Sequence, residues 1–173
     1  GTPLIHYGFN LEASWKNFDI YALLQGAGMY TVQFSEVYAE VLWSKGANTP
    51  AYFYDRWRKE DPYNPNSKWV AGKWPATRLI QDTGAMYKES NIWRRDASYL
   101  RLKTLELGYT LPDSILRKSG ISNIRFYING YNLLTFCDSF VKAFDPEKVE
   151  GSYSAGMNYP LTKSFNIGFT ANF

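Results

Sequence analysis

Cysteine and histidine occur once each, at Cys137 and His6. A single cysteine excludes an internal disulfide and any cysteine-rich metal site. The single histidine lies at a polar position of an alternating stretch and reads as a solvated or hydrogen-bonded side chain. No Ser/His/Asp set, glycine-rich phosphate loop or metal-ligand spacing occurs, so neither an enzyme nor a cofactor or metal is expected. Long hydrophobic runs are also missing: no stretch of about 18 apolar residues could form a transmembrane helix, and no charged-then-apolar leader is read in the chain. Charge of one sign is scarce as well. Nineteen Lys and Arg face 16 Asp and Glu, a net charge of +3, and the basic residues are scattered, which excludes a nucleic-acid partner. Acidic neighbours such as Glu60 and Asp61 fall in loop sequence and read as solvated charge.

Aromatic residues are abundant. They make up 18% of the 173 residues and apolar residues 45%, yet mean hydropathy is negative, so apolar side chains are interleaved with polar ones. Interleaving favours strands with one apolar face. In "IHYGFNLEASW" the positions Ile5, Tyr7, Phe9, Leu11, Ala13 and Trp15 alternate with His6, Gly8, Asn10, Glu12 and Ser14. A two-residue turn at Lys16 and Asn17 leads into a second run with Phe18, Ile20, Ala22 and Leu24 on one side, a hairpin pattern. Strands are thus expected at about 5–15, 18–26, 98–111, 124–132 and 164–173. In the third, Leu105, Leu107, Tyr109 and Leu111 are out of phase with Leu100 and Leu102, which predicts a bulge near Lys103 and Thr104 or an exit from apolar surroundings there. "PDSILRKSG" has the Pro-first, Gly-last order of a short helical turn.

The connections alternate in length. Turns 16–17 and 112–123 are short, whereas loops 27–97 and 133–163 far exceed the about 12 to 15 residues beyond which structureless loops are uncommon. The longer loop carries helical spacing at Phe34, Val37, Tyr38, Val41 and Leu42, ended by Gly46. It also holds five of the six tryptophans, Trp43, Trp57, Trp69, Trp74 and Trp93.

A soluble sandwich also alternates, but its strands commonly run about 5 or 6 residues. Strands of about 9 to 11 residues suit a tilted bilayer crossing. One-sided long loops, polar opposite faces and aromatics at strand ends (Trp15, Phe18, Tyr109, Phe173) fit an outer-membrane barrel. Phe9, Leu11, Leu105, Leu107, Phe126, Ile128, Ile167 and Phe169 then face lipid. Asn10, Glu106, Arg125 and Asn129 line the lumen or meet a plug. Five strands leave two open edges, and in hydrocarbon each unpaired backbone group costs several kcal/mol. The first and last strands run the same way, so closure calls for an odd number of further strands. The chain reads as the C-terminal part of a larger barrel.

Several motifs carry a more specific likeness. "DASYLRLKTLELGYTLP", "IRFYINGYNLLTF", "FDPE" and "YPLTKSFNIGFTANF", in this order, resemble the C-terminal end of the SusC/RagA family of TonB-dependent outer-membrane transporters of Bacteroidetes. "ASWKNFDIYALLQGAG" looks like the preceding hairpin, and "DRWRKEDPYNPNSKW" resembles a Trp- and Pro-rich loop of that family. Cys137 and Ala143 depart from its usual pattern. The resemblance implies an all-β fold: the last five strands of a 22-stranded, plugged antiparallel transmembrane barrel with extracellular loops 27–97 and 133–163 and periplasmic turns 16–17 and 112–123. The N-terminal barrel strands and plug lie outside the chain. It also implies import of glycans or peptides across the bacterial outer membrane. Implied partners are the N-terminal part of the same transporter, a SusD-like surface lipoprotein, TonB, membrane lipid and the barrel-assembly machinery. That machinery reads a terminal-strand signal, matched here by Asn166, Gly168, Ala171 and Phe173. Trp57, Trp69, Trp74 and Trp93 are candidate substrate or lid contacts, or else the loop's own core. The alternative function is a soluble carbohydrate-binding β-domain.

Overall fold

The computed structural model describes residues 2–34, 49–77, 90–117, 120–148 and 158–173. Five long strands dominate it. They are β1 (Ile5–Trp15), β2 (Phe18–Gly28), β7 (Tyr99–Thr110), β8 (Asn123–Phe136) and β9 (Ser164–Asn172). All pairings are antiparallel and the spatial order is β1-β2-β7-β8-β9. The remaining strands are short pieces of the loops: β3 (Thr31–Gln33) pairs with β6 (Arg94–Asp96), and β4 (Arg58–Lys59) with β5 (Trp69–Val70).

Alternation explains each long strand, and the ends are set by local chemistry. Lys16 takes φ 55° in the turn between β1 and β2, a left-handed value that keeps the connection at two residues. Asn17 stabilises this turn by donating from Nδ2 to the carbonyl of Thr110, 2.8 Å away. β8 ends four residues later than the alternation suggested, and β2 two residues later. Those extensions carry the sheet up into the long-loop end, where loop residues pack against it. The connection after β7 holds a single helical turn, α1 (Asp113–Leu116). In the second long loop α2 (Ser139–Lys142) is capped by Asp138, whose side chain accepts from the amides of Phe140 and Val141, satisfying otherwise orphaned donors.

The out-of-phase half of β7 is resolved by a bulge. Leu23 pairs with Thr104 and Leu24 with Leu102, so Lys103 is the extra residue. Leu100 and Leu102 thereby join Leu105 and Leu107 on one face. Against β8 the ladder shifts at the same level, where Asn132 takes φ 55°.

The buried core is not under the sheet. It gathers at the long-loop end: Ala27, Tyr30, Val32, Phe34, Phe53, Trp74, Trp93, Ala97, Tyr99 and Val141, with Tyr52, Cys137, Phe140 and Phe144 against it. The apolar face of the five-stranded sheet carries no second layer among the described residues. A sandwich would bury the apolar face under a second sheet; here Ile167 remains 86% and Phe165 75% exposed. No described helix is long and apolar enough to cross a membrane, which says nothing about crossing by strands. The helix expected from the spacing of Val37, Tyr38, Val41 and Leu42 lies outside the described residues. Phe34 at its start is buried in non-helical backbone.

Candidate functional site

Register converts the strand pattern into a surface. Rows run Ala13–Ile20–Leu107–Ile128–Ile167 and Leu11–Ala22–Leu105–Gly130–Phe165 across all five strands. A third row joins the Trp15–Phe18 pair to Tyr109, Phe126 and Phe169, and here the Phe18 and Tyr109 rings lie 4.7 Å apart. The eight residues expected to face lipid therefore share one continuous apolar face. Aromatic rings bound it at the short-turn end, where Lys16 lies 4.6 Å over the Trp15 ring.

The opposite face is polar and cross-linked. Arg125 on β8 donates from Nε to Asp19 Oδ1 at 3.0 Å, and its Nη2 bonds both Asp19 and Glu106, the latter at 2.8 Å. Asn129 donates to Glu106 Oε2 at 3.1 Å, and Asn166 donates to Asn129 Oδ1 at 2.9 Å. This ladder ties β2, β7, β8 and β9 together. Gly108 makes it possible: a Cβ there would collide with the Asp19 carboxylate and the Arg125 guanidinium. Arg125, Glu106 and Asn129 were legible as inward-facing from strand parity. Asp19 was not singled out, because 106 residues separate it from Arg125 and only the register brings them together.

At the long-loop end, the "FDPE" stretch docks on the sheet through Arg101. This guanidinium, 3% exposed, donates to Thr135 Oγ1 at 3.0 Å, Glu147 Oε2 at 2.9 Å and Asp145 Oδ1 at 2.5 Å, with Asp145 itself 4% exposed. Asp145 also accepts from the amides of Glu147 and Leu161, and Lys103 adds a second cation on Glu147 at 2.7 Å. Every carboxylate oxygen here has a protein donor, so the pair of acids is a structural pin rather than a cation site. Among the described residues no group of three potential ligands could hold a metal ion. Tyr30 completes the pin by donating from its hydroxyl to the Pro146 carbonyl at 2.5 Å.

The loop tryptophans divide sharply. Trp74 and Trp93 stack at 5.2 Å in the aromatic core and are 4% and 1% exposed, which removes them from the candidate contact set. Burial of a large ring against Phe53, Tyr52 and Phe140 is their role, since each such ring contributes a large apolar area. Trp57 and Trp69 are exposed. Trp69 on β5 carries Lys59 of β4 4.7 Å over its ring, and these two remain available for contact. Trp43 lies outside the described residues. Cys137 packs beside this core, and burial pushes its thiol up from the ordinary value, so it stays a neutral apolar neighbour.

On β9, Asn166 and Gly168 face the polar side, Ile167 and Phe169 the apolar side, and Phe173 follows the last paired residue, Asn172. Ala171 pairs with Ile124 on the apolar side.

No protein-family model matches the chain. Among curated proteins it is 32% identical, over 99% of its length, to "TonB-dependent receptor P3" of Formosa agariphila, and 29% identical over 100% to "TonB-dependent receptor P26" of the same organism. It spans 16% and 17% of those two proteins. Its fold matches the RagAB peptide importer in the "open-open" state with a TM-score of 0.68 at 26% identity, covering 99% of this chain and 17% of that one. A second RagAB peptide transporter structure matches with a TM-score of 0.69 at 25% identity, over 97% of this chain and 17% of that one. This bare sheet, with one apolar and one polar face, is thus similar along nearly its whole length to TonB-dependent receptors. The likeness to the RagAB structures, over nearly the whole chain, supports a segment of a SusC/RagA-like transporter.

Proposed function

We propose that the chain is the C-terminal wall of a plugged, 22-stranded outer-membrane barrel that imports nutrient under TonB drive, with a SusD-like lipoprotein over its outer mouth. One observation carries this reading: a five-stranded antiparallel sheet with an uncovered apolar face, a hydrogen-bonded polar face and two open edges. An apolar face of this size left in water would be an aggregation hazard, whereas in lipid it is the required exterior. The open edges supply the rest of the argument. β1 and β9 run in the same direction, so a ring of identical copies would need a parallel seam, and an odd number of further strands closes the wall without one. Those strands, the plug and the TonB-contacting segment are assigned to the remainder of the transporter. The outer side is the long-loop end, and the turns at 16–17 and 112–123 face the periplasm, following the short-turn habit of such barrels.

The cargo is a peptide or an oligosaccharide. RagAB, titled a peptide importer, supports peptide, and exposed Trp57 and Trp69 suit either cargo or lid. Labelling of the full-length transporter in lipid tests the facing. A fluorophore on single cysteines at 165, 167 and 169 is expected to be quenched by brominated lipid, and at 164, 166 and 168 to be spared. Equal quenching at both sets would refute the wall. Growth of a deletion strain on peptides as against oligosaccharides then separates the two cargoes.

A further inference from the structure

At the long-loop end β8 outruns its neighbour. Its pairing with β9 stops at Tyr131 and Ser164, whereas β8 continues along β7 as far as Phe136. Beside that last stretch runs the segment before β9: Thr162 accepts from Asn132 Nδ2 at 3.0 Å, and the Leu161 amide donates to Asp145 at 2.8 Å. Between this segment and β8 lies a cleft of about 250 Å³, lined by Leu134, Phe136, Pro160, Leu161, Lys142 and Lys163. Its apolar part belongs to the apolar face of the sheet, since Leu134 pairs with Leu102 and Phe136 with Leu100. Both side chains are more than half exposed. The Phe136 row continues through Leu100 and Gly26 to Tyr7, eight residues above Trp15 on β1. In a tilted strand that is roughly 20 Å of depth, close to the outer limit of an apolar band about 25 Å tall.

The charges around the cleft are unequally used. Arg101 is spent on Asp145 and Glu147, and Lys103 on Glu147, while Asp138 is turned to the amides of Phe140 and Val141. Lys142 and Lys163 enter no ion pair among the described residues. Lys163 stands two residues before Phe165, on the parity of the apolar face and one step above it. Two such cations beside exposed apolar side chains at a membrane interface suit an anionic head that carries hydrocarbon. Lysine binds phosphate as a point charge, and basic pockets at membrane surfaces take phosphate-bearing lipid heads. A small soluble anion would use the cations and leave Leu134 and Phe136 bare. We propose that the cleft is a site for one phosphate-bearing lipid of the outer leaflet, with Lys142 and Lys163 on its phosphate and its chain along Leu134, Phe136 and Phe165.

This rests on the barrel-wall reading, with the long-loop end outermost. The test uses the full-length transporter in mild detergent, stripped of its own lipid, with native mass spectrometry counting bound molecules. The probes are bisphosphorylated lipid A, the same lipid after removal of both phosphates, and inorganic phosphate. Wild type is expected to retain one bisphosphorylated lipid A at this site, and the double variant Lys142→Gln with Lys163→Gln to lose at least tenfold of that occupancy. Lys59→Gln, which removes the cation over Trp69 in the loop, is expected to bind like wild type. Retention by the double variant, equal binding of the dephosphorylated lipid, or an equal loss in Lys59→Gln would each overturn the proposal. So would displacement of the lipid by an equal concentration of inorganic phosphate, since a free anion would then suffice. Heat-modifiable gel migration of the wild type tests the barrel reading separately. Without an assembled band that reading falls and the lipid site with it; an assembled wild type that retains no lipid A removes the lipid site alone.

Discussion

Single residues of the sheet have different weight according to which face they occupy and at what height. If the Trp15–Phe18–Tyr109–Phe126–Phe169 row marks one membrane interface, Leu105 lies about four residues higher. At roughly 2.5 Å of membrane depth per residue of tilted strand, that places it near the middle of an apolar band about 25 Å tall. Leu105→Lys is therefore expected to cost about 2 to 4 kcal/mol, and Phe169→Lys, nearer the interface, about 0 to 1 kcal/mol. The urea midpoint of the assembled transporter measures both, and equal costs would contradict the assigned height. Asp145 is the corresponding polar case. Removing one partner of a buried ion pair leaves the other charge stranded, typically at about 3 to 5 kcal/mol, so Asp145→Ala is expected to release the pin at Arg101. Hydrogen exchange would read this as lost protection of the Leu161 and Glu147 amides, both of which donate to Asp145 in the native structure.

Among elements, β9 and the aromatic core carry the sharpest expectations. β9 pairs on one side only, so its placement depends on β8 and on whatever strand meets its free edge. Deleting Phe173 leaves the β8 ladder intact, because pairing ends at Asn172. The deletion should reduce membrane insertion while leaving transport per assembled molecule unchanged; normal insertion would rule out a terminal assembly signal. In the loops, Trp93→Ala would open a cavity between Trp74 and Phe53 at a cost of about 3 to 5 kcal/mol. Faster protease cleavage in the 49–77 stretch, with the membrane-embedded sheet still resistant, is the expected result. The strand pattern was readable in the sequence because alternation at period two survives in every long strand. The phase break at Leu100 and Leu102 was readable too, but as either a bulge or an exit from apolar surroundings, and only the register against β2 decides for the bulge. The division among tryptophans was not readable. Trp57, Trp69, Trp74 and Trp93 have similar local surroundings, and burial depends on which of them the loop folds against β6, α2 and the strand ends.

At the scale of the whole molecule, the question is which solvent the sheet is built for. Its apolar face has no covering layer among the described residues, and the compact core lies at one end. The isolated 173-residue chain is thus expected to stay monodisperse only in detergent or lipid. A folded, monodisperse monomer in plain buffer would restore the soluble carbohydrate-binding alternative. Composition and alternation by themselves determined that the chain makes long strands with one greasy and one polar side, and the order of its motifs determined the family it resembles. Those are properties of residue spacing, fixed before any strand meets another. Tertiary structure decided what depends on register: that Asp19, Glu106, Arg125, Asn129 and Asn166 form one ladder, that Arg101 holds Asp145, and that Tyr127 lies over Gly168. Each of these joins residues far apart in the chain, and a shift of one residue in any ladder would have paired them differently.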